Sequence, residues 1–247
     1  MSDKLVENWR KLIGKLLDLE ESSNMNDSKR KEQSKLSFDY QAEREYYTIP
    51  IREIRAYDWL DSDLRTWIPG YPDLFKEKQI LDIGAGEALH GILICERHHP
   101  AAYTAIDLIW HRLLGASTRL ATLPAFSLCC GDCYDIPFSA NAFDIVLGNG
   151  VLHHLPNLSS VMAQVKRVLR PGGIYLGREP NFGNPLVRRR VLGGHRSQNE
   201  HAINKQELAS SFIDAGFDAR INYFWRRAPW LRHPILSTSV AIYATRV

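Results

Sequence analysis

The chain has 247 residues, 45% of them hydrophobic, enough for one domain with a sizeable buried core and some extra elements. A net charge of +3 is too mild to mark a nucleic-acid binder, and no run approaches the ~18 apolar residues of a membrane span. Four cysteines, three of them crowded at Cys129, Cys130 and Cys133, are no disulfide framework, and the charged start Met1-Ser2-Asp3-Lys4 is no signal peptide, so a cytoplasmic location is expected.

Leu5, Trp9, Leu12, Ile13, Leu16 and Leu17 recur at helical spacing, so the first twenty residues read as an amphipathic helix. Glu21 to Lys35 is almost wholly polar and reads as a linker. A second helical region from about Tyr40 to Trp67 ends at the breaker pair Pro69-Gly70. Residues 1–70 are thus a helical extension, and residues 71–247 the main domain.

From there short apolar runs alternate with amphipathic helices, the pattern of an α/β protein with a mostly parallel sheet. Strands are expected at Gln79–Ile83, Tyr103–Asp107, Phe126–Cys130, Asp144–Leu147 and Ile174–Gly177. Helices are expected around Leu89–His98, His111–Leu123, Leu158–Leu169 and Lys205–Ala215, the last with Asn204 and Glu207 as a capping pair. Two further alternating runs, Asp218–Phe224 and Ser237–Ala244, read as final strands.

Ile80-Leu81-Asp82-Ile83-Gly84-Ala85-Gly86-Glu87 sets a glycine turn directly after a buried strand and before a helix. Glycine permits the sharp turn and lets a nucleotide-like ligand approach the backbone at the sheet's C-terminal edge. A dinucleotide fingerprint needs a third glycine where Leu89 stands, and the lysine of a triphosphate loop is missing. Asp82, just before the turn, would repel a pyrophosphate but suits an ammonium or sulfonium charge. Asp107 ends the next strand about 20 residues on, where ribose hydroxyls are bound in Rossmann folds; a helix N-cap is its plainer reading.

These residues resemble the class I S-adenosylmethionine-dependent methyltransferases from Lys78 onward. Leu81 to Gly86 is similar to their first motif, which implies that Asp82, Gly84, Ala85 and Gly86 line the methionine part of the cofactor. Asp107 with Leu108 then corresponds to the ribose-binding position, and Asp132 with Cys133, in Gly131 to Phe138, to the adenine segment. Phe143 to Leu147, Asn149 and Val151 to Leu155 resemble the fourth strand and its active-site loop, and Arg167 to Gly173 the turn before the fifth strand. One small position departs from the pattern, Ala88 standing where glycine is usual. The resemblance implies a Rossmann-like, seven-stranded, mostly parallel sheet with one antiparallel strand and helices on both faces. It also implies that the N-terminal helix covers the cofactor, although simple packing of the Trp9 stripe is an equal reading.

Asn149-Gly150-Val151-Leu152 lacks the Asn/Asp-Pro-Pro-aromatic motif of amino-methylating nucleic-acid enzymes, the Pro-Cys nucleophile of cytosine-carbon methylation and the double-glutamate loop of arginine methyltransferases. Small-molecule methylation remains, in this family most often at oxygen, of a natural product, sugar or glycan precursor, with no nucleic-acid partner. The resemblance puts His153 and His154 where some sugar and natural-product O-methyltransferases carry a general base, a task that suits imidazole; His153 is the expected base, whereas His154 reads better as a buried ring bonded to backbone. Glu179 enters the same crevice to orient a histidine or bind a hydroxyl; a cap or local ion pair is the alternative. Residues 181–203 read as a lid carrying Arg188, Arg189 and Arg190, of which one or two could anchor an anion. From Arg178 onward eleven Lys/Arg face five Asp/Glu, which suits an anionic acceptor or acidic surface and equally a solvated charged face. Cys130 and Cys133 lack a second pair and are not read as a metal site, so catalysis is expected to need no divalent metal. A nicotinamide oxidoreductase and a non-catalytic cofactor-binding protein are the rival functions, the former disfavoured by Leu89 and Asp82.

Overall fold

The alternating runs assemble into a single seven-stranded sheet in the computed structural model, which describes residues 39–41, 64–71, 73–114, 123, 125–192, 199–225, 227–228 and 230–247. The expected N-terminal helix, the linker and most of the second helical region lie outside the described residues. Of the helix expected over His111–Leu123, residues 115–122 also lie outside the described residues, and Leu123 is not helical.

β1 (Gln79–Ile83) runs through the glycine turn into α1 (Leu89–His98), and β2 (Ala102–Asp107) leads to α2 (Trp110–Leu114) and β3 (Phe126–Cys130). β4 (Phe143–Asn149) is followed by a 3-10 turn (Leu152–His154), α3 (Leu158–Val168) and β5 (Leu169–Pro180). After these come α4 (Pro185–Leu192), α5 (Lys205–Asp214), β6 (Phe217–Phe224) and β7 (Ser239–Arg246). The spatial order is β3-β2-β1-β4-β5-β7-β6. β7 runs antiparallel to both neighbours, and the other pairings are parallel.

Strand residues divide by parity between two apolar layers, as a sheet covered on both faces requires. Leu81, Ile83, Val146 and Tyr175 pack with Met162 and Val165 of α3 and Phe212 of α5. Ile80, Ile145, Leu147, Ile174 and Leu176 pack on the opposite face with Ile92, Leu93 and Ile94 of α1. Each fully buried Leu or Ile contributes about 1.5–3 kcal/mol. The chain order reverses between β1 and β4, and a crevice opens there at the strands' C-terminal ends, the place where open α/β sheets bind ligands.

Two positions of the loop after β1 show why small residues stand there. Gly84 has φ +60°, and a Cβ would lie 2.3 Å from the Val151 side chain, so turn and close approach both require glycine. Ala88, the position that departs from the family's pattern, is also left-handed, at φ +50°. That costs a residue with a Cβ about 1–2 kcal/mol, borne here by a methyl group buried against the α1 layer. Asn204 caps α5, its side-chain oxygen accepting the Glu207 N–H at 2.9 Å.

Candidate active site

Two adjoining cavities open at the crevice, and Gly84, Gly150 and Arg112 line both. Asp107, Leu108, Asp132 and Cys133 line the first; Asp82, Ala85, Gly86 and Asn149 line the second. All nine residues assigned to the cofactor from the sequence therefore meet at one place. Four loops bring them together, those after β1, β2, β3 and β4.

In the first cavity Asp107 is nearly buried and accepts the Gly86 N–H at 2.7 Å and the Ile109 N–H at 2.8 Å, one on each carboxylate oxygen. It pins the glycine loop and the start of the following helix together. Burial raises its pKa above the usual carboxylate range, and the two N–H groups and Arg112 act against that. Asp132 accepts the Tyr134 N–H and the Tyr40 hydroxyl, both at 2.8 Å. Cys133 is buried and its thiol is pushed up, mostly by desolvation, while Cys130 is exposed. That difference sets the two cysteines in separate surroundings.

In the second cavity Asp82 is buried and accepts a hydrogen bond from the Tyr103 hydroxyl at 2.7 Å. Burial raises its pKa to about 7; the Tyr103 bond opposes this, and the Asp107 charge adds to it. Opposite stands a network the sequence reading missed. Arg178 Nε donates to Asn149 Oδ1 at 3.1 Å, and the Asn149 amide donates to His90 Nε2 at 3.3 Å. Burial and the Arg178 charge lower the His90 pKa to about 3, so the ring is neutral and can accept that bond. His90 and Arg112 carry no motif spacing; only the packing of α1 and α2 against the crevice reveals them.

The loop after β4 carries the other constellation. Glu179, fully buried at the end of β5, accepts the N–H groups of Val151, Leu152 and His153 at 3.1, 3.0 and 3.4 Å. Its Oε2 also meets His153 Nδ1 at 2.7 Å. Of the roles left open for Glu179, a cap of the turn over Leu152–His154 and orientation of a histidine both match this geometry, and an acceptor hydroxyl would find both oxygens already engaged. His154 lines the first cavity, its ring centroid 4.1 Å from that of His153. Its pKa lies far below the usual imidazole range, chiefly through burial and then through the charges of His153, Arg112 and His201.

The expected lid sends one end into this cluster. The His201 N–H donates to the His153 carbonyl at 3.0 Å, which draws Glu200 alongside. A ring nitrogen each of His153 and His154 and a carboxylate oxygen of Glu200 lie within 4.8 Å of one another, a set able to hold a metal ion. The sequence offered no signal for Glu200, because 46 positions separate it from His154 and only the fold joins them. Arg188, Arg189 and Arg190 are all exposed on α4.

Comparison with known proteins matches the family described as a methyltransferase domain to residues 81–177, the stretch from β1 to β5. Residues 81–177 are similar to that methyltransferase-domain family. The chain is 35% identical over 100 residues to phthiotriol/phenolphthiotriol dimycocerosates methyltransferase 1 of Mycobacterium ulcerans, 40% of this chain and 36% of that protein. It is 31% identical over 157 residues to the fatty-acid O-methyltransferase of Mycolicibacterium smegmatis, 62% of this chain and 56% of that one. The chain therefore matches little more than a third of the first of these relatives and just over half of the second. Among solved structures, an S-adenosylmethionine-dependent methyltransferase of Mesorhizobium loti superposes with TM-score 0.57 at 16% identity, over 71% of this chain and 93% of that one. The [4+2]-cyclase SpnF superposes with TM-score 0.58 at 17% identity, over 76% and 79%. Both likenesses concern the class I fold alone.

Asp107 lines one cavity, Asp82 the other and Gly84 both, a set whose chemistry would suit a ligand with hydroxyls and a positive charge, as S-adenosylmethionine has. Asp82 makes that fit pH-dependent. An acid with a raised pKa keeps its proton in the folded protein, so its effect on folding stability is absent below the unfolded carboxyl range and grows as a loss while pH rises toward 7. A cationic ligand favours the ionised form. Calorimetry is therefore expected to find S-adenosylmethionine bound roughly tenfold or more tighter at about pH 7.5 than at about pH 5.5, with proton release. Asp82→Asn should flatten that dependence; an unchanged slope in the variant would place the titrating group elsewhere.

Proposed function

We propose that this chain methylates an oxygen atom of a small, lipid-like acceptor, using His153 as general base. The observation that carries the proposal is the 2.7 Å contact between His153 Nδ1 and Glu179. With Nδ1–H donated to a buried carboxylate, Nε2 keeps its lone pair to accept a proton, and the imidazolium that forms is stabilised by the adjacent charge. Three backbone N–H groups hold Glu179 itself in place, so the dyad is set before any acceptor arrives. Bound S-adenosylmethionine supplies the electrophilic methyl group. Asp107 and the glycine loop would hold the cofactor and the His153 loop the acceptor oxygen, an alignment that supplies much of the rate in a direct displacement. The names of the two mycobacterial relatives, one a fatty-acid and the other a dimycocerosate methyltransferase, support the lipid class.

The test is transfer of a labelled methyl group from S-adenosylmethionine to long-chain hydroxylated lipids and to free fatty acids, run with and without a chelator. Labelled ether or ester is expected in both conditions, since imidazole takes the proton without a metal. Binding of the cofactor with no transfer to any acceptor would favour a non-catalytic cofactor-binding protein. Loss of activity in the chelator, restored by one divalent ion, would instead assign that ion to His153, His154 and Glu200.

A further inference from the structure

We propose that the exposed face built from α4 and the loop residues 227–228 and 230–237 docks on an anionic lipid membrane surface. Four large apolar side chains stand out from the protein here: Leu186 at 79% exposure, Trp230 at 81%, Ile235 at 53% and Leu236 at 54%. Single exposed apolar residues are ordinary, but these are organised. Asn184 joins the two segments through one side chain, its amide donating to the Leu236 carbonyl at 3.2 Å and its oxygen accepting the Leu186 N–H at 2.9 Å. Asn181 donates to the carbonyls of Pro234 and Ser237, both at 2.8 Å, and the Ser237 hydroxyl donates to the Leu231 carbonyl. The apolar residues are thus presented on a pinned surface.

Charge selects the partner. Arg188, Arg189 and Arg190 on α4 and Arg227 and Arg232 on the loop are all exposed. No Asp or Glu occurs from Pro180 to Asn199, nor anywhere after Asp218. Trp, Leu and Ile beside an unbroken set of arginines is the composition of surfaces that bury apolar side chains at the headgroup boundary while the cations meet anionic lipid. The position is also apt. α4 follows the C-terminal end of β5, and the loop runs from the end of β6 to the start of antiparallel β7, so both lie at the sheet edge that carries the cofactor crevice. An acceptor drawn from the membrane would leave it beside the site.

Sedimentation of the full chain with vesicles tests this. Binding is expected to vesicles containing about a third phosphatidylglycerol and not to pure phosphatidylcholine, and it should weaken as salt is raised. Each arginine near the surface is worth about fivefold in affinity, so Arg227→Gln with Arg232→Gln should weaken binding about 25-fold. Leu186→Ser with Leu236→Ser should weaken it at least tenfold, while melting temperature and S-adenosylmethionine affinity stay at wild-type values in both pairs. No vesicle binding, equal binding to both vesicle types, or variants that bind like wild type would overturn the proposal. A dimer in solution that the Leu186→Ser, Leu236→Ser pair converts to monomer would also overturn it, by assigning the face to a second copy. Vesicle binding is read without turnover, so a failed methyl-transfer assay leaves this result standing on its own.

Discussion

His153→Ala is expected to slow methyl transfer to a hydroxyl acceptor by about 10²–10⁴-fold while cofactor affinity stays nearly unchanged. On the proposed mechanism, removing the imidazole would deprive the hydroxyl of its proton acceptor, and His153 lines neither of the two cavities. Glu179 would lose one partner but keep the three backbone N–H groups, so the variant should fold, and unchanged binding of S-adenosylmethionine provides the check. The acceptor sharpens the experiment. A fatty-acid carboxylate is already ionised at neutral pH and needs no base, so the same variant should keep most of its rate on such an acceptor. Near-normal turnover of His153→Ala on a hydroxyl acceptor would remove the residue from the mechanism. An equal loss on both acceptors would give it a positioning role. Glu179→Gln, which keeps the shape but not the charge, is expected to lower the rate in the same direction, because the imidazolium formed during proton transfer loses its counter-charge.

Where local chemistry bounded an element, the sequence was legible to the residue. β1, β3 and α1 begin and end as expected because each is a short apolar run or a helical stripe closed by a turn. β5 proved longer than expected. Pro171-Gly172-Gly173 reads as a stop, yet the strand already pairs Leu169 with Phe143 and resumes at Ile174 opposite Ile145 after a register shift, with Gly172 at φ +74° inside the irregularity. Pairing with β4 before and after the irregularity thus carries the strand across residues that would end it alone. β7 starts two residues later than its alternating pattern suggests. Ser237 is fully buried as a turn anchor, accepting the His233 N–H at 3.0 Å, and so serves the loop instead of the ladder.

The site divides along the same line. Asp82, Gly84, Asp107 and Asp132 could be placed in advance because each sits at the end of a recognisable strand, and parallel topology sends all such ends to one edge. Glu179 could be placed near His153 for the same reason, but not its exact role, since four donors converge on it only after β4 and β5 pair. Glu200, His201, His90 and Arg112 were illegible. They reach the crevice through helix packing and chain return, which leave no periodicity behind, and a histidine in a helix's first turn looks like any other. The exposed basic and apolar face was half legible: the arginine excess was countable, whereas the seating of Leu186 beside Leu236 depends on Asn184.

Asp107→Ala is expected to weaken S-adenosylmethionine binding by at least tenfold per lost ribose contact, since a hydrogen bond to a charged group is worth about 1.5–3 kcal/mol. The residue has two separable jobs in this structure. It already accepts the Gly86 and Ile109 N–H groups, which is the helix-start role that sequence alone could not exclude. Each carboxylate oxygen offers two acceptor directions, so one on each remains for the two hydroxyls of a ribose. Loss of the first job should appear as a lower melting temperature, and loss of the second as lower affinity at a temperature where the variant is fully folded. A double-mutant cycle separates them, with a 2′,3′-dideoxy analogue of S-adenosylhomocysteine as the second change. If Asp107 binds the ribose, the analogue loses affinity for the wild type but little more for Asp107→Ala, and the coupling approaches the whole effect. Equal losses on both proteins would mean that Asp107 only braces the loop, and would move ribose recognition to another group in the first cavity.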